Sequence, residues 1–336
     1  MKEEKRVGNL LPPSDIGSFR RSLLRWYDRN RRDLPWRRTR DPYAIWLSEI
    51  MLQQTRVAAV LDHYRIFLER FPNIDALAAA PEVAVLAAWS GLGYYRRARM
   101  LHQCAREIAE HHGGYFPQTA EALCALPGIG RYTAAAIASI AFREPVAVVD
   151  GNVERVLERI GGRALKSSQG WEGAQKLLAP ARPGDFNQAM MELGATVCLP
   201  REPRCLICPI RKWCAAHGEL PQPKRAARQQ KKQIWCALDR RNGHVRLMQR
   251  PKTATLMAGM WELPQWTEIP HPSAKDAHWR AFRHSITVTD YTVQVLRNWK
   301  QKGTTRPRGK WIAVCDILTL PITGLTRKIL KADGII

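Results

Sequence analysis

The sequence predicts a multidomain protein in which an all-α N-terminal part precedes an α+β C-terminal part. Before residue 230 the apolar residues recur at helical spacing, and no stretch shows sustained strand alternation. The segment "LPQPKRAARQQKKQ" at 220–233 has two prolines and five basic residues without an acid, which is typical of an exposed linker. Short alternating runs follow it. We therefore assign residues 1–219 to one domain and 234–336 to a second.

The N-terminal part is predicted to be a series of amphipathic helices. The first, at 17–32, places aromatic and leucine side chains among arginines. A proline-punctuated loop at 34–43 leads into an apolar helix over 44–71. Further helices are predicted at 81–89, 95–112, 119–125, 131–142, 152–160 and 185–196.

The C-terminal part carries strand signals. Two alternating runs surround Asn242–Gly243, a dipeptide that strongly favours a β-hairpin turn. A β-branched run at 285–295 predicts another strand. These strand signals therefore favour an α+β domain from residue 234 onwards.

The charge balance indicates a polyanionic partner. Lys and Arg number 53 against 30 Asp and Glu, a formal net charge of +23. Such an excess favours nucleic acid, with an anionic membrane surface as the alternative. No apolar run reaches the roughly 18 residues of a membrane span, and "MKEEKRVGNLLPPSD" has no signal-peptide core. We expect a monomeric intracellular protein, cytoplasmic and associated with the bacterial nucleoid, that does not bind membranes.

Four cysteines in the basic segment 198–214 form the pattern C-x6-C-x2-C-x5-C. An intracellular protein of this length has little need for disulfides, so a metal group is the better reading. Structural zinc sites usually present two close pairs, whereas only Cys205 and Cys208 form one here. Unequal arms to Cys198 and Cys214 suit a [4Fe–4S] cluster, in which each cysteine binds a different iron. Zinc held by the four thiols, or with His217 replacing one, remains the alternative.

The other cysteines are scattered among apolar neighbours, and we expect them to be buried small hydrophobic residues. They are Cys104, Cys124, Cys236 and Cys315.

The segment "LCALPGIGRYTAAAIASIAF" at 123–142 predicts a helix–hairpin–helix. Gly128 and Gly130 would permit positive φ and close approach of a partner to the backbone. The first amides of the second helix would then face a DNA phosphate. A glycine-rich connection between two core helices is the alternative.

These motifs together resemble the endonuclease III superfamily of DNA glycosylases. The hairpin, "AVVDGNVERV" at 146–155 and the cysteine pattern carry this resemblance. "SEIMLQQT" at 48–55, "GLGYYRRA" at 91–98 and "LMAGMWELP" at 256–264 resemble the MutY branch, the adenine DNA glycosylases. The resemblance implies a helical glycosylase domain with a [4Fe–4S] loop at 198–214, followed by a Nudix-like domain that recognises 8-oxoguanine.

Two carboxyl groups are the candidate catalytic residues. Cleavage of an N-glycosidic bond needs a protonated leaving base and a stabilised oxocarbenium ion, tasks that two carboxyls with different pKa values can divide. Glu49 shares a largely apolar helix face with Ile45, Leu52 and Gln53, so burial should raise its pKa, although a glutamate that reaches solvent fits the pattern equally. The alternative role for Asp150 is helix capping, but Asn152 looks better placed to cap, leaving Asp150 without a structural role.

The resemblance implies specific roles for these residues. Glu49 would donate a proton to adenine N7, and Asp150 would stabilise the oxocarbenium ion or bond briefly to C1′. Asn152 would help to hold the site. Tyr132 stands where the lyase-active relatives carry a lysine, and a phenol cannot form their Schiff base, so we expect no efficient strand cleavage.

Base recognition requires a flipped nucleotide and a side chain that fills the gap. Leu52 and Gln54 in "LQQ" and Tyr94 in "GLGYY" are candidates for wedging or stacking, and one tyrosine of the pair 94–95 should belong to the core. Arg37 and Gln188 match positions that contact the flipped adenine. Four basic residues in the cysteine segment are expected to contact DNA phosphates, and the alternative is that they form only a solvated basic face. They are Arg201, Arg204, Arg211 and Lys212.

The C-terminal domain is expected to recognise the lesion rather than hydrolyse a nucleotide. A Nudix hydrolase needs a glutamate-rich metal motif, and Glu262 and Glu268 are the only glutamates after residue 233. The family's Phe-Ser-His loop has its nearest match in "AFRHSIT" at 281–287, with an arginine in place of the serine. The candidate lesion contacts are therefore Phe282, Arg283, His284 and Ser285.

The sequence thus predicts a base-excision-repair adenine DNA glycosylase that acts on duplex DNA with A:8-oxoguanine or A:G mispairs. Three alternatives remain. A bifunctional pyrimidine-lesion glycosylase/lyase is disfavoured by Tyr132 and the second domain. A non-catalytic Fe–S DNA-binding protein would not need both Glu49 and Asp150. An electron-transfer protein would not explain the hairpin or the charge.

Overall fold

The structure, a computed structural model, describes residues 10–220, 230–268, 278–286, 288–297 and 309–336. Residues 221–229, most of the predicted linker, lie outside this set. Contacts divide the described residues between two compact units. The first covers those of Met1–Tyr64, Asn73–Asp75 and Gln103–Pro223, and the second those of Arg65–Pro72, Ala76–His102 and Lys224–Ile336. The second unit thus includes residues 76–102, while the domain limits at 219 and 234 stay a prediction.

Residues 10–220 form α-helices joined by turns, and no strand occurs among them, as the sequence predicts. The helices are α1 (Pro13–Asn30), α2 (Pro42–Leu52), α3 (Val57–Arg70), α4 (Ile74–Ala79), α5 (Glu82–Ala88), α6 (Arg96–His111), α7 (Ala120–Cys124), α8 (Arg131–Ala141), α9 (Gly151–Gly161), α10 (Ser167–Leu177) and α11 (Pro183–Thr196).

The single helix predicted over 44–71 is wrong. The chain leaves the helical conformation at Gln53 and takes a positive φ of 55° at Gln54, so α2 ends at Leu52 and α3 begins at Val57. Neither glycine nor proline marks this break in the sequence.

Two of the helices within residues 10–220 have no predicted counterpart, α4 and α10. Helix α10 contains Gly170 and Gly173, which weaken a helical pattern. A Cβ on Gly173 would lie 2.7 Å from Leu10 Cδ1, so this glycine is required by close packing rather than by a turn.

The core of the first unit packs α1 against α9 and α11. Phe19, Leu23 and Tyr27 of α1 recur every four residues, and all three are fully buried. A fully buried side chain of this size contributes roughly 1.5–3 kcal/mol. This packing fixes the start of α9 and the inner face of α11, which carry candidate site residues.

In its described residues, the C-terminal part of the second unit has one mixed sheet, one antiparallel sheet and one α-helix, so the predicted α+β class is confirmed. One sheet has the strand order β5-β1-β7-β6, with β1 and β7 parallel, and the other has β2-β3-β4 with β8 on β3. The elements are β1 (Gln230–Leu238), β2 (Arg240–Arg241), β3 (His244–Gln249), β4 (Trp261–Glu262), β5 (Gln265–Trp266), β6 (His278–Ile286), β7 (Thr289–Arg297), β8 (Lys310–Ala313) and α12 (Gly324–Ala332).

The hairpin prediction is confirmed, because Asn242 and Gly243 have φ values of 48° and 72° between β2 and β3. The strand predicted at 285–295 is wrong at its start, since residues up to 286 end β6 and those from 289 form its antiparallel partner β7. The Nudix-like character of this part stays a prediction.

Two scattered cysteines depart from the expected burial. Cys104 and Cys236 are buried, whereas Cys124 and Cys315 are exposed. Within the described residues, every helix is too short or too polar to cross a bilayer.

Candidate active site

Glu49 lies in α2, a helix that is buried on almost every side, and only 6% of Glu49 is exposed. Its Oε2 accepts a hydrogen bond of 2.6 Å from the hydroxyl of Tyr132. Tyr132 is the second residue of α8, which packs against α2. The Tyr132 phenol therefore contacts the candidate acid directly.

The pKa of Glu49 is raised to about 7, as its apolar helix face predicted. Burial is the largest cause, because it disfavours the charged form. The hydrogen bond from Tyr132 and the charge of Arg37 lower this pKa, while the charge of Asp150 raises it. A carboxyl with a pKa near 7 is close to half protonated at neutral pH, which suits a proton donor.

Asp150 is the N-cap of α9, and here the sequence analysis was wrong. Its Oδ1 accepts from the backbone N–H groups of Asn152 (3.0 Å) and Val153 (2.7 Å). Asp150 itself has the extended conformation of a cap, with φ −102° and ψ 179°, whereas Asn152 is already inside the helix. Asn152 instead donates from Nδ2 to Asp150 Oδ2 at 2.9 Å. Three N–H donors thus hold the carboxylate in one orientation.

The two carboxyls and the phenol form one electrostatic site. The charge of Asp150 raises the pKa of Glu49 and also that of Tyr132, for which burial is the largest cause. One carboxyl lies in an apolar setting and the other receives N–H donors. A proton donor and an anionic stabiliser need two such different environments.

Arg155 extends the site towards the cysteine segment, and the sequence analysis did not identify it. Its Nη2 donates to Asn152 Oδ1 (2.9 Å) and to the carbonyl of Gly194 (2.7 Å). Its Nε donates to the carbonyl of Cys198 at 2.9 Å. Hydrogen bonds therefore connect Asp150, through Asn152 and Arg155, to the first cysteine. The only sequence signal was the helical spacing of three residues between Asn152 and Arg155.

Arg37 and Gln188 lie beside Tyr27. The Arg37 guanidinium is 5.6 Å from the centre of the Tyr27 ring, and the Tyr27 hydroxyl donates to Gln188 Oε1 at 3.2 Å. Arg37 also pairs with Glu192, a residue that the sequence analysis missed, at 2.8 Å.

Glu192 is almost fully buried, with 1% of its surface exposed. Burial would raise its pKa, but hydrogen bonds from Arg32 and Arg37 lower it to about 2. The carboxylate is therefore ionised and fixes both guanidinium groups. The sequence signal available was a single glutamate between apolar neighbours in "AMMELGA" at 189–195.

The candidate wedge residues occupy unusual backbone conformations. Gln54 is exposed with φ 55°, just after the half-buried Leu52. Tyr94 has φ 48° and 49% of its surface exposed. Tyr95 is only 4% exposed, and its hydroxyl donates to the carbonyl of Ile322. The prediction that one tyrosine of the pair belongs to the core is confirmed for Tyr95.

The helix–hairpin–helix is formed by α7 and α8. Gly128 has the predicted positive φ, 75°, but Gly130 does not, since it caps α8 with φ −88° and ψ 173°. A Cβ on Gly130 would meet nothing within 4 Å, and no side chain caps the first amides of α8. Those amides thus border open space, as phosphate binding requires.

The four cysteines of the 198–214 segment line one cavity, together with Arg159 and His217. Arg159 is 3% exposed, and its Nη1 donates to Cys198 Sγ at 3.2 Å. The Cys214 thiol donates to the Arg159 carbonyl at 3.3 Å. Burial raises the pKa of Cys208 to about 11, and the other three thiols add to the shift. Cysteines bind metals as thiolates, so a metal group that displaced the thiol protons would stabilise the folded loop.

The number and type of these side chains bear on which metal group fits. Four cysteines around one cavity match the ligands of a zinc ion as well as those of a [4Fe–4S] cluster. Among the described residues, no group of three or more His, Cys, Asp or Glu side chains is arranged to hold a metal ion. The basic residues of this segment are all exposed: Arg201, Arg204, Arg211 and Lys212.

The candidate lesion residues lie within strand β6, not in a loop. Phe282 is 8% exposed and belongs to the C-terminal core, so the alternation of the strand turns Arg283 and Ser285 outwards. The half-buried His284 has a lowered pKa, because burial and the charge of Lys328 disfavour its protonated form. The surface of this strand therefore presents Arg283 and Ser285, and Phe282 has a structural role.

Comparison with known proteins shows which family the chain resembles. Residues 47–179 match the family described as HhH-GPD superfamily base excision DNA repair protein. The adenine DNA glycosylase of Rattus norvegicus is 50% identical over 229 residues, covering 64% of this chain and 44% of that protein. The human adenine DNA glycosylase is 40% identical over 322 residues, covering 76% and 59%. The adenine DNA glycosylase of Mycobacterium tuberculosis is 47% identical over 208 residues, covering 60% and 68%.

Solved structures give the same fold for the helical part. A thermostable thymine-DNA glycosylase is 32% identical with a TM-score of 0.57, covering 61% of this chain and 97% of that one. An endonuclease III–DNA covalent intermediate, at 22% identity and a TM-score of 0.54, supports the fold alone. These matches confirm the resemblance and the predicted N-terminal fold. The chain spans 44% and 59% of the length of the rat and human relatives.

We predict that Tyr132→Phe raises the pKa of Glu49 above its value of about 7. The substitution removes the 2.6 Å hydrogen bond that stabilises the Glu49 carboxylate, while the remaining phenyl ring still excludes water. Carbon-13 NMR titration of labelled glutamate would measure the shift, with Glu49→Gln identifying the resonance. An unchanged or lower pKa would contradict the assigned role of the phenol.

We predict that Asp150→Ala lowers the free energy of unfolding by about 1 kcal/mol, because α9 loses its cap. Asp150→Asn should cost much less, since its side-chain oxygen can still accept from the N–H groups of Asn152 and Val153. Urea unfolding of both variants measures the difference. Equal losses in the two would show that the cap does not contribute.

Proposed function

This chain belongs to the HhH-GPD superfamily of base excision DNA repair proteins, and within it we propose an adenine DNA glycosylase. Its reaction is hydrolysis of the N-glycosidic bond of adenine mispaired with 8-oxoguanine or guanine in duplex DNA. The observation that carries the proposal is the buried Glu49 carboxyl, hydrogen-bonded to Tyr132 in a site that also holds Asp150.

Glu49 is the proposed general acid. With a pKa of about 7 it carries a proton in a large fraction of molecules at neutral pH and can deliver it to adenine N7. Protonation converts adenine into a better leaving group. The Tyr132 hydroxyl keeps the carboxyl oriented and stabilises the carboxylate that remains after the transfer.

Asp150 is the proposed anionic partner of the oxocarbenium ion. The N–H donors of Asn152 and Val153 fix its carboxylate before the reaction, so little reorganisation is needed as positive charge develops on the sugar. Neither Tyr132 nor Arg131 beside it can form a Schiff base with the sugar, because one is a phenol and the other a guanidinium. The proposed enzyme is therefore monofunctional.

Recognition is assigned to the groups around this site. Arg37 and Gln188 are the proposed contacts of the flipped adenine, and the ionised Glu192 holds Arg37 in place. Gln54 and Tyr94 are the proposed wedge and stacking residues. The amides at Gly130 and the exposed arginines of the cysteine segment are the proposed phosphate contacts.

The cysteine segment is proposed to hold a [4Fe–4S] cluster through Cys198, Cys205, Cys208 and Cys214. The cluster would supply a fixed, charge-rich centre that braces the loop. This chain's own residues then present basic groups to DNA, and Arg155 ties the loop to the Asp150 carboxylate.

Single-turnover assays on duplexes with A opposite 8-oxoguanine, G, T or C, and on a T:G duplex, test the function. We expect adenine release with 8-oxoguanine and G only, and strand breaks only after alkali. Asp150→Asn should lower the rate constant roughly 100-fold or more while the protein stays folded. Breaks without alkali would support the bifunctional lyase. Release of thymine from a T:G duplex would instead assign the activity named for the 32% identical structure.

The same assay gives the pH dependence. The acid role needs protonated Glu49, whose folded pKa is about 7. The rate constant should therefore be highest below that pH and fall as the pH rises through it. A rate that keeps rising above pH 8 would exclude Glu49 as the essential acid.

We predict that protein purified anaerobically is brown and carries about four iron atoms per chain. Cys205→Ser should lose iron and visible absorption. The matched control is Cys124→Ser, which removes an exposed cysteine outside the segment and should lose neither. A colourless, zinc-loaded preparation would overturn the cluster assignment.

A further inference from the structure

The turn that carries Tyr94 is held in an unfavourable backbone conformation. It joins α5 to α6, and Gly91, Gly93 and Tyr94 have φ values of 114°, 71° and 48°. A non-glycine residue in the left-handed region costs roughly 1–2 kcal/mol, so the surrounding structure must fix Tyr94 there.

Two buried hydroxyls flank this turn and meet on one carbonyl. Ser90 Oγ donates to the carbonyl oxygen of Ile322 at 2.9 Å, and the Tyr95 hydroxyl donates to the same oxygen at 3.0 Å. Ser90 is 2% exposed and Tyr95 is 4% exposed. Both ends of the four-residue turn are therefore attached to a single acceptor, more than 220 residues away in sequence.

The Ile322 carbonyl is itself held in position. On either side, the Pro321 carbonyl accepts from the N–H of Trp261 (2.8 Å), and the N–H of Thr323 donates to the Trp261 carbonyl (2.9 Å). Because peptide groups alternate in direction along an extended segment, the Ile322 carbonyl faces away from β4. Ile322 is fully buried and directly precedes Thr323, the N-cap of α12.

Two further contacts join the same parts of the second unit. Arg327 Nε of α12 donates to Ser90 Oγ at 3.2 Å. Arg99 Nη2 of α6 donates to the carbonyl of Ala258 at 2.6 Å. The segment 76–102 and the C-terminal sequence are therefore connected at both sides of the turn.

We propose that Ser90 and Tyr95 are positioning residues that act through Tyr94. Together with the Ile322 carbonyl they keep the 91–94 turn in the conformation that presents the Tyr94 ring to DNA. The C-terminal sequence thereby takes part in displacing the base, in addition to the lesion recognition expected of it. The proposal rests on the proposed function for the role of Tyr94 itself.

A double-mutant cycle tests the proposal. The anchor variant combines Ser90→Ala with Tyr95→Phe, and it is compared with Tyr94→Ala and with the combination of all three substitutions. The readouts are the single-turnover rate of adenine release opposite 8-oxoguanine and the fluorescence of 2-aminopurine placed at the adenine position. We expect the anchor variant and Tyr94→Ala each to lose about tenfold in rate, and the combination to lose no more than Tyr94→Ala alone. Multiplied losses of about a hundredfold would show that the hydroxyls do not act through Tyr94 and would overturn the proposal.

Tyr64→Phe is the matched control. It removes a similar buried hydroxyl, which donates to the Ala44 carbonyl at 3.2 Å in the first unit. It should cost similar stability and leave the rate unchanged. If Tyr64→Phe lost as much rate as the anchor variant, the loss in the anchor variant would reflect general destabilisation and the proposal would be overturned. If the double substitution does not fold, Tyr95→Phe alone, which keeps the ring, replaces it.

Amide hydrogen exchange separates this proposal from the proposed function. In the protein without DNA, the anchor variant should exchange the amides of residues 91–94 at least about tenfold faster than wild type. Unchanged exchange would overturn the anchor, whatever the activity. Faster exchange in a protein that releases no adenine would leave the anchor in place and overturn the proposed function.

Discussion

The hydrogen bond between Tyr132 and Glu49 is the interaction on which the candidate site depends. A carboxyl that is almost fully buried is costly unless it is either protonated or paired, and here one donor at 2.6 Å offsets part of that cost. The bond can form only if α2 and α8 lie side by side, and their packing provides this. Helix α8 therefore has two roles. Its first amides face the surface, and the side chain of its second residue, Tyr132, donates a hydrogen bond to the buried Glu49.

Asp150 shows how a common structural motif can also prepare a reactive group. As an N-cap it satisfies two amides of α9 through Oδ1, and the Nδ2 group of Asn152 holds its second oxygen, Oδ2. Helix α8 contacts both α11 and α2, and it therefore connects the core of α1, α9 and α11 to the helix that carries Glu49. Arg155 continues the arrangement to Cys198, so the loop that presents basic side chains and the carboxylate share one hydrogen-bonded frame.

The sequence predicted what depends on local pattern, and it failed where contacts distant in the chain decide. Helical periodicity located most helices, and Asn242–Gly243 located a hairpin, because both signals arise from neighbouring residues. The break at Gln54 has no local signal. Glu192 could not be recognised as a buried ion-pair partner either, because Arg32 and Arg37 are about 160 residues away in sequence. The capping role of Asp150 was missed through a misjudged helix start, an error of two residues.

Gln54 and Tyr94 illustrate why such sites escape local prediction. Both are exposed non-glycine residues with positive φ, one in each unit, and both belong to motifs that resemble DNA-contacting segments. An exposed residue gains nothing for folding from a strained backbone, so the strain has to be maintained by the residues around it. At Tyr94 those residues include Ser90 and Tyr95, whose hydroxyls donate to the distant Ile322 carbonyl, and Trp89, whose Nε1 donates to the Gly93 carbonyl at 3.0 Å. Glycine would adopt this conformation without strain, so the strain at Tyr94 is the cost of keeping an aromatic side chain at this position.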